Sequence, residues 1–325
     1  MRLTISRRAA LTLLGGACAA TTIPRAFAAD KLRVGKAVIE VFGYIPLDVG
    51  MKYGIFAKHG IEIEEVNFAG GPKLAQAITA GSVDIGLSSG PAMAYTAKGA
   101  PEIAIATITA SPAFMGLNVG KNFAGRTVDD LKGKKIGVVG AGSLTAWLVA
   151  ELNRVKGWGE SAAVPVSIGG EPTAELAAIK TGAVDATLGG VAEGYKYEEK
   201  GDGRLLAPVS VYVKELELFT MFASNAIIQE KPDVVRRFLT AWFETVAYMK
   251  THKAETIEVT SSVIPGYTKG VSTRLYDGLM TQFSMNGRFT PGSLDKLRAS
   301  FIDLKVLDPS ADMSKLYTEA FLPKT

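Results

Sequence analysis

The chain has 325 residues, with 36 Lys plus Arg against 32 Asp plus Glu, and 47% of its residues are apolar. That composition supplies ample core and excludes disorder as the main state, while a surplus of four positive charges is too slight for a dedicated nucleic-acid binder. A single Cys (Cys18) and two His (His59, His252) exclude an internal disulfide and any clustered thiolate or imidazole metal site, and no G-x-S-x-G nucleophile elbow is present.

The first element is an address. Residues 9–24 form an uncharged run of 16 between Arg8 and Arg25, shorter than the ~20 residues that span a bilayer. Arg2, Arg7 and Arg8 precede it, and Ala26-Phe27-Ala28 follows as an A-x-A cleavage site. The segment 1–28 therefore reads as a cleaved signal peptide that sends the chain to the periplasm. Arg7-Arg8 resembles a twin-arginine leader, with general secretory export as the alternative. A lipoprotein anchor at Cys18 is a weaker third route, because Gly15-Gly16-Ala17 lacks the Leu such anchors usually carry. With Arg25, this segment holds the whole charge surplus: the rest of the chain balances 32 basic against 32 acidic residues.

Strands and helices then alternate. Residues 32–38 read as a strand, 47–59 as an amphipathic helix stopped by Gly60, and 61–68 as a strand with Ile61, Ile63 and Val66 against Glu62, Glu64 and Glu65. Gly70-Gly71-Pro72 opens a helix over 73–79, Gly81 stops it, and 83–87 is the next strand. The pattern recurs at an offset of 101: residues 77–87 and 178–188 share six of eleven residues, including Gly81/Gly182 and Val83-Asp84/Val184-Asp185. Val34-Gly35 has a similar partner in Ile136-Gly137. The period is too long for a solenoid and predicts two similar α/β lobes, unless helix-Gly-Val-Asp-strand is merely a common local solution. Residues 103–119 and 216–225 are weakly punctuated apolar stretches suited to crossing between lobes. From 231 the pattern is helical, with Trp242 as core and a further helix opening at Thr290-Pro291. His59 reads as a solvated turn residue, and His252 as a cation at a helix C-terminus.

The segments Gly54-Ile55-Phe56-Ala57-Lys58-His59-Gly60-Ile61 and Ala80-Gly81-Ser82-Val83-Asp84-Ile85-Gly86 resemble the NMT1/THI5-like extracytoplasmic solute-binding proteins of ABC importers. That family serves sulfonates, taurine, nitrate and thiamine-pyrimidine precursors. Asp130-Leu131-Lys132-Gly133-Lys134-Lys135-Ile136-Gly137, Gly140-Ala141-Gly142-Ser143 and the run from Pro232 to Leu239 extend the likeness over residues 31–255. The resemblance implies a type II periplasmic binding protein fold. It consists of two α/β lobes, each a mostly parallel sheet flanked by helices, joined by two crossovers with the ligand clasped between them. Residues 30–115 plus 220–325 would form lobe 1, and 116–219 lobe 2. It also implies a small organic anion or heterocycle of sulfonate, carboxylate or pyrimidine type as ligand, a membrane-embedded ABC permease as partner, monomeric action, no cofactor and no enzymatic activity. Presentation of ligand to a sensor or chemoreceptor is an alternative output.

Ligands of open α/β sheets sit beyond the carboxyl ends of the strands. Five loops occupy that place, and they supply the candidate ligand-binding residues. Phe42 and Tyr44 could stack on a planar ligand or pack in the core. Gly71 lies beside Lys73 in the second loop. Ser88, Ser89 and Gly90 lead into a helix start suited to an anion, or to simple capping. Gly142, Ser143, Leu144 and Thr145 offer backbone and hydroxyls. Gly190 and Glu193 stand where many relatives carry Trp-Glu-Pro, with Ala192 and Gly194 replacing the Trp and Pro. Ser111 and Phe114 come from the first crossing. No Arg is placed among these loops, so Lys36 or Lys73 would supplement anion recognition. Gly140-x-Gly142 between a strand and a helix is also two-thirds of a dinucleotide fingerprint, which keeps a nicotinamide-dependent oxidoreductase open as a rival. Fungal relatives that make the thiamine pyrimidine use a Cys-rich segment, which residues 29–325 lack.

Overall fold

A computed structural model describes residues 29–324 apart from 40 and 161. The segment 1–28, expected to be a signal peptide, and Cys18 within it lie outside the described residues. The first part of the chain runs β1 (Asp30–Lys36), α1 (Ile45–Lys52), α2 (Ile55–Lys58), β2 (Ile61–Asn67), α3 (Gly71–Thr79), β3 (Ile85–Ser89), α4 (Met93–Ala97) and β4 (Glu102–Thr109). The middle holds β5 (Met115–Gly120), β6 (Lys135–Val138), α5 (Leu144–Lys156), β7 (Val164–Ser167), α6 (Pro172–Lys180), β8 (Ala186–Gly190), α7 (Val191–Lys200) and β9 (Gly203–Pro208). The last part adds β10 (Phe219–Ser224), α8 (Asn225–Glu230), α9 (Pro232–Thr251), α10 (Lys253–Val263), α11 (Lys269–Leu279) and α12 (Pro291–Asp303).

Two five-stranded sheets result, ordered β2-β1-β3-β10-β4 and β7-β6-β8-β5-β9. They are built alike. In each, four strands run one way and the fourth in spatial order, β10 or β5, runs antiparallel between its neighbours. The repeat at offset 101 is carried into three dimensions residue for residue: α3 maps onto α6 and β3 onto β8 with identical bounds. Its invariant parts have visible tasks. Gly81 (φ 71°) and Gly182 (φ 73°) take the left-handed turn after each helix, where a Cβ would be strained. Asp84 accepts the backbone N–H of Arg33 at 2.9 Å, and Asp185 that of Lys135 at 2.8 Å, so each Asp ties its own strand to the neighbouring parallel one.

Two details differ from the sequence reading. The helix expected over 47–59 is split into α1 and α2 by Gly54, at φ 70°. His59 is not a free turn residue: its Nε2 lies 2.7 Å from Glu244, a carboxyl that Lys58 and His59 hold below its usual range. His252 closes α9 and stacks on Tyr248 with ring centroids 3.7 Å apart. The long α9 buries Phe238, Leu239, Trp242 and Val246 against the first lobe, and Phe56 stacks on Phe238 at 5.5 Å. The final helix spans both lobes. On α12, Lys296 meets Glu151 of α5 at 2.9 Å, and Asp303 accepts from the Trp147 indole at 2.8 Å.

Candidate functional site: the cleft between the lobes

The register fixes where the strand ends meet. Ser89 at the end of β3 pairs with Phe219, which also pairs with Thr109 at the end of β4. Gly190 at the end of β8 pairs with Met115 at the start of β5. The chain crosses between the sheets at 110–114 and 209–218, and the crossings are bonded together by Leu216 N–H to Ala110 O at 2.9 Å and Leu218 N–H to Thr109 O at 3.2 Å. The ends of β3 and β8 therefore both lie beside the paired crossings, and the space beyond them is the candidate site.

The first-lobe wall begins after β1. Val38 and Ile39 are 39% and 42% exposed, and Val139, which follows β6 in the second lobe, is 48% exposed. Val38 and Val139 stand at equivalent places in the repeat, each just beyond the end of its strand. In sequence they look like continuations of their strands, so the reading missed them. Phe42 and Tyr44 do not offer open stacking faces: they are only 3% and 2% exposed. Phe42 packs on Phe114 (6.5 Å) and Phe283 (5.7 Å), and Tyr44 on Phe219 (5.4 Å). Phe114 joins the same cluster through Phe219 and Phe283, both at 5.6 Å. These rings form a rigid floor under the first crossing. Ser88 is buried with its hydroxyl facing Gly71, Ser89 is half-buried, and Ser111 accepts the Ala113 N–H at 3.3 Å as a local cap.

In the second lobe, Ser143 caps α5 by accepting from Ala146 N at 3.2 Å and donates to Gly140 O at 2.7 Å. Thr145 Oγ1 accepts the Val139 N–H at 3.0 Å and lies 2.8 Å from Ser143 Oγ. Both hydroxyls expected to serve a ligand are thus committed to holding the loop. What remains open is backbone: a Cβ at Gly140 or Gly142 would meet nothing within 4 Å. Leu144 is half-buried beside them. Gly190 is exposed, and Glu193 is buried in the first turn of α7 with Lys196 at 3.0 Å.

The charges need correcting too. Lys36 is no supplementary anion site, because its amine is buried with both Asp48 oxygens at 2.8 Å and Glu65 at 3.0 Å. Lys73 is exposed at the start of α3. Two buried acids were not singled out in the sequence. Glu175, in α6, packs its carboxyl against Gly189. Glu217 sits in the second crossing, fully buried, with Thr220 Oγ1 at 2.8 Å and Ser293 Oγ at 3.2 Å. Burial pushes its carboxyl up to about 7 against the pull of the surrounding Thr107, Thr220 and Ser293 hydroxyls. A folded-state value above the unfolded one means that its stabilising contribution is complete below the unfolded value and is lost as pH rises through about 7. Glu217→Gln should remove that loss. In urea titrations the variant should gain stability relative to the parent between pH 5 and pH 8; an equal difference at both would show that Glu217 is not neutral in the fold.

Comparison with known proteins agrees with the geometry. A Brucella abortus protein named as a binding protein is 25% identical over 276 residues, 82% of either chain. The 4-amino-5-hydroxymethyl-2-methylpyrimidine phosphate synthase of Legionella pneumophila is 23% identical over 295 residues, 87% of this chain and 89% of that one. In structure, the periplasmic aliphatic sulphonate binding protein SsuA of Escherichia coli superposes with a TM-score of 0.75 over 89% of this chain and 92% of its own, at 18% identity. The fold is that of the periplasmic binding proteins, and among the described residues no helix is long and apolar enough to cross a membrane. The family model described as NMT1/THI5 like matches residues 42–256, which take in the aromatic floor apart from Phe283, both crossings and every candidate loop except the start of the first, and the chain belongs to that family.

Proposed function

We propose that this protein is the periplasmic substrate-binding component of an ABC importer and not an enzyme. Exported through residues 1–28, it closes its lobes on a small organic molecule as a monomer and hands it to a membrane-embedded permease. Residues 30–115 with 220–325 move as one lobe and 116–219 as the other. The observation that carries this reading is that two like-built sheets are joined by two crossings bonded to each other, with uncovered backbone at Gly140, Gly142 and Gly190 beyond the strand ends of the second. Ligand contacts made by both lobes at once exist only in the closed form, so binding shifts the balance toward closure.

The test is a thermal-shift screen of the purified protein against sulfonates, nitrate, aromatic carboxylates, amines and pyrimidines. A ligand at 100 times its Kd adds about 2.7 kcal/mol of stability. Gly142→Trp should abolish the shift with little change in the unliganded melting temperature, since its side chain projects into open space. Gly142 is a better probe than Ser143, whose replacement would also remove a helix cap. A shift that survives Gly142→Trp would place the binding site elsewhere.

A further inference from the structure

Helix α12 is stitched to one sheet and packed on the other. Before it, the Ser284 N–H donates to Ile108 O and the Thr107 N–H to Gly287 O, both at 2.9 Å. After it, the Ala104 N–H donates to Leu316 O at 3.2 Å and the Thr318 N–H to Ala104 O at 2.8 Å. Ala104, Thr107 and Ile108 all belong to β4, an edge strand of the first sheet. Residues 284–318 therefore leave β4 and return to it. In between, α12 reaches α5, the helix that follows β6 of the second sheet.

That contact is made by buried polar groups. On α5, Trp147 and Glu151 are each only 4% exposed. The Trp147 indole N–H donates to Asp303, and Lys296 Nζ donates to Glu151. Burial pushes the Glu151 carboxyl up, yet Arg154 and Lys296 hold it below its usual value. Arg154 belongs to α5 itself, so Lys296 is the cation that comes from the other lobe. A buried indole N–H without an acceptor and a buried carboxylate short of a cation both cost free energy, so the two pairs resist separation.

The contact also has leverage. At its start α12 is tied to the second crossing, where Ser293 Oγ donates to Glu217 at 3.2 Å and Thr290 Oγ1 to Glu215 at 3.0 Å. Asp303 is ten residues beyond Ser293, about 15 Å along the helix. Rotation of the lobes about the crossings therefore displaces the Trp147–Asp303 pair more than the bonds at Ser293. The ion pair of Arg274 on α11 with Glu198 on α7 also joins the lobes, but its side chains are 41% and 34% exposed, where water screens the charges.

We propose, resting on the two-lobe reading above, that α12 is a latch that holds the lobes together in the absence of ligand, with Asp303 and Lys296 as its catches on Trp147 and Glu151. Opening separates both pairs. The latch thus sets how many molecules stand open to receive ligand, and a weaker latch shifts that balance before any ligand binds.

The distance between the lobes tests this with no ligand present. Gln76 on α3 and Ala177 on α6 are exposed and equivalent in the repeat. Spin labels on Gln76→Cys and Ala177→Cys, in a Cys18→Ser background that leaves no other thiol, should give one narrow distance in the parent. Lys296→Met combined with Asp303→Leu should add a second distance and raise the ratio of open to latched molecules about fivefold or more. Trp147→Phe should act in the same direction, and it serves alone if the double variant does not fold. Added to Asp303→Leu it should change little, because both break one bond. Asp303→Asn keeps an acceptor for the indole and should stay within about twofold of the parent. Unchanged distances in the double variant and in Trp147→Phe would overturn the latch, as would opening by Asp303→Asn equal to that by Asp303→Leu. The cleft is judged separately, by the ligand-induced thermal shift. Opened lobes with a shift indifferent to Gly142→Trp would keep the latch and sink the cleft; the reverse pair of results would keep the cleft and sink the latch.

Discussion

Replacing Lys36 by Ala should cost about 3–5 kcal/mol of folding stability, because it strips the counter-charge from a buried carboxylate. The Lys36 and Asp48 side chains are 4% and 9% exposed, and Glu65, the second acid on the amine, is 21% exposed. The bond ties the end of β1 to α1, so the loss falls on the wall that carries Val38 and Ile39. Burial already raises the Asp48 carboxyl, and Lys36 is the main force drawing it back. Without the amine that carboxyl rises further, so the variant should recover stability as pH falls and lose it as pH rises through the new value. Denaturant unfolding at pH 5 and pH 7 measures both effects. The double variant Lys36→Met/Asp48→Leu, which replaces the pair by apolar groups, should regain most of the loss. A deficit under about 1 kcal/mol that ignores pH would mean that the pair is hydrated rather than buried.

Gly90→Ala should be nearly as damaging, by overpacking. An added Cβ would stand 2.0 Å from the Glu217 carbonyl oxygen and 2.8 Å from its carbon, and backbone cannot swing aside as a side-chain tip can. The Gly90 N–H donates to Leu218 O at 3.0 Å, so the turn after β3 is already drawn onto the second crossing. Relief requires moving the crossing itself. The expected loss is about 3 kcal/mol, with a reduced ligand-induced thermal shift because the displaced strand is part of the hinge. Gly142→Ala is the control: it meets no atom and should stay within about 0.5 kcal/mol of the parent. Equal melting temperatures for the two variants would show that the hinge is slack at Gly90.

Much of this architecture was legible because it is local and repeated. Helix, left-handed Gly, Val-Asp and strand occur twice at one offset, and each piece is dictated by turn geometry and pattern within about a dozen residues. The strand ends that bound the candidate loops followed from the same local pattern. Their chemistry did not, for reasons that differ by residue. Lys36 finds Asp48 and Glu65 through a tertiary packing that no spacing announces. Phe42 meets Phe283 from the far end of the chain, which closes a face that looked free. Ser143 and Thr145 were identified as hydroxyls, but their first duty is to cap and brace α5. Glu175 gives no local sign of its burial, because an acid in a helix's first turn is ordinary; only the fold brings its carboxyl against Gly189.

The place of β10 bears on how the chain must fold. It lies between β3 and β4 in the first sheet, although the whole second sheet is made before it. During synthesis, β5 through β9 can therefore assemble as a contiguous unit while the earlier strands wait. Until residues 219–224 arrive, β3 and β4 each show an unpaired edge toward the gap, the kind of surface that recruits foreign strands. Such late, long-range closure is slow, and it leaves the first lobe the last to be completed.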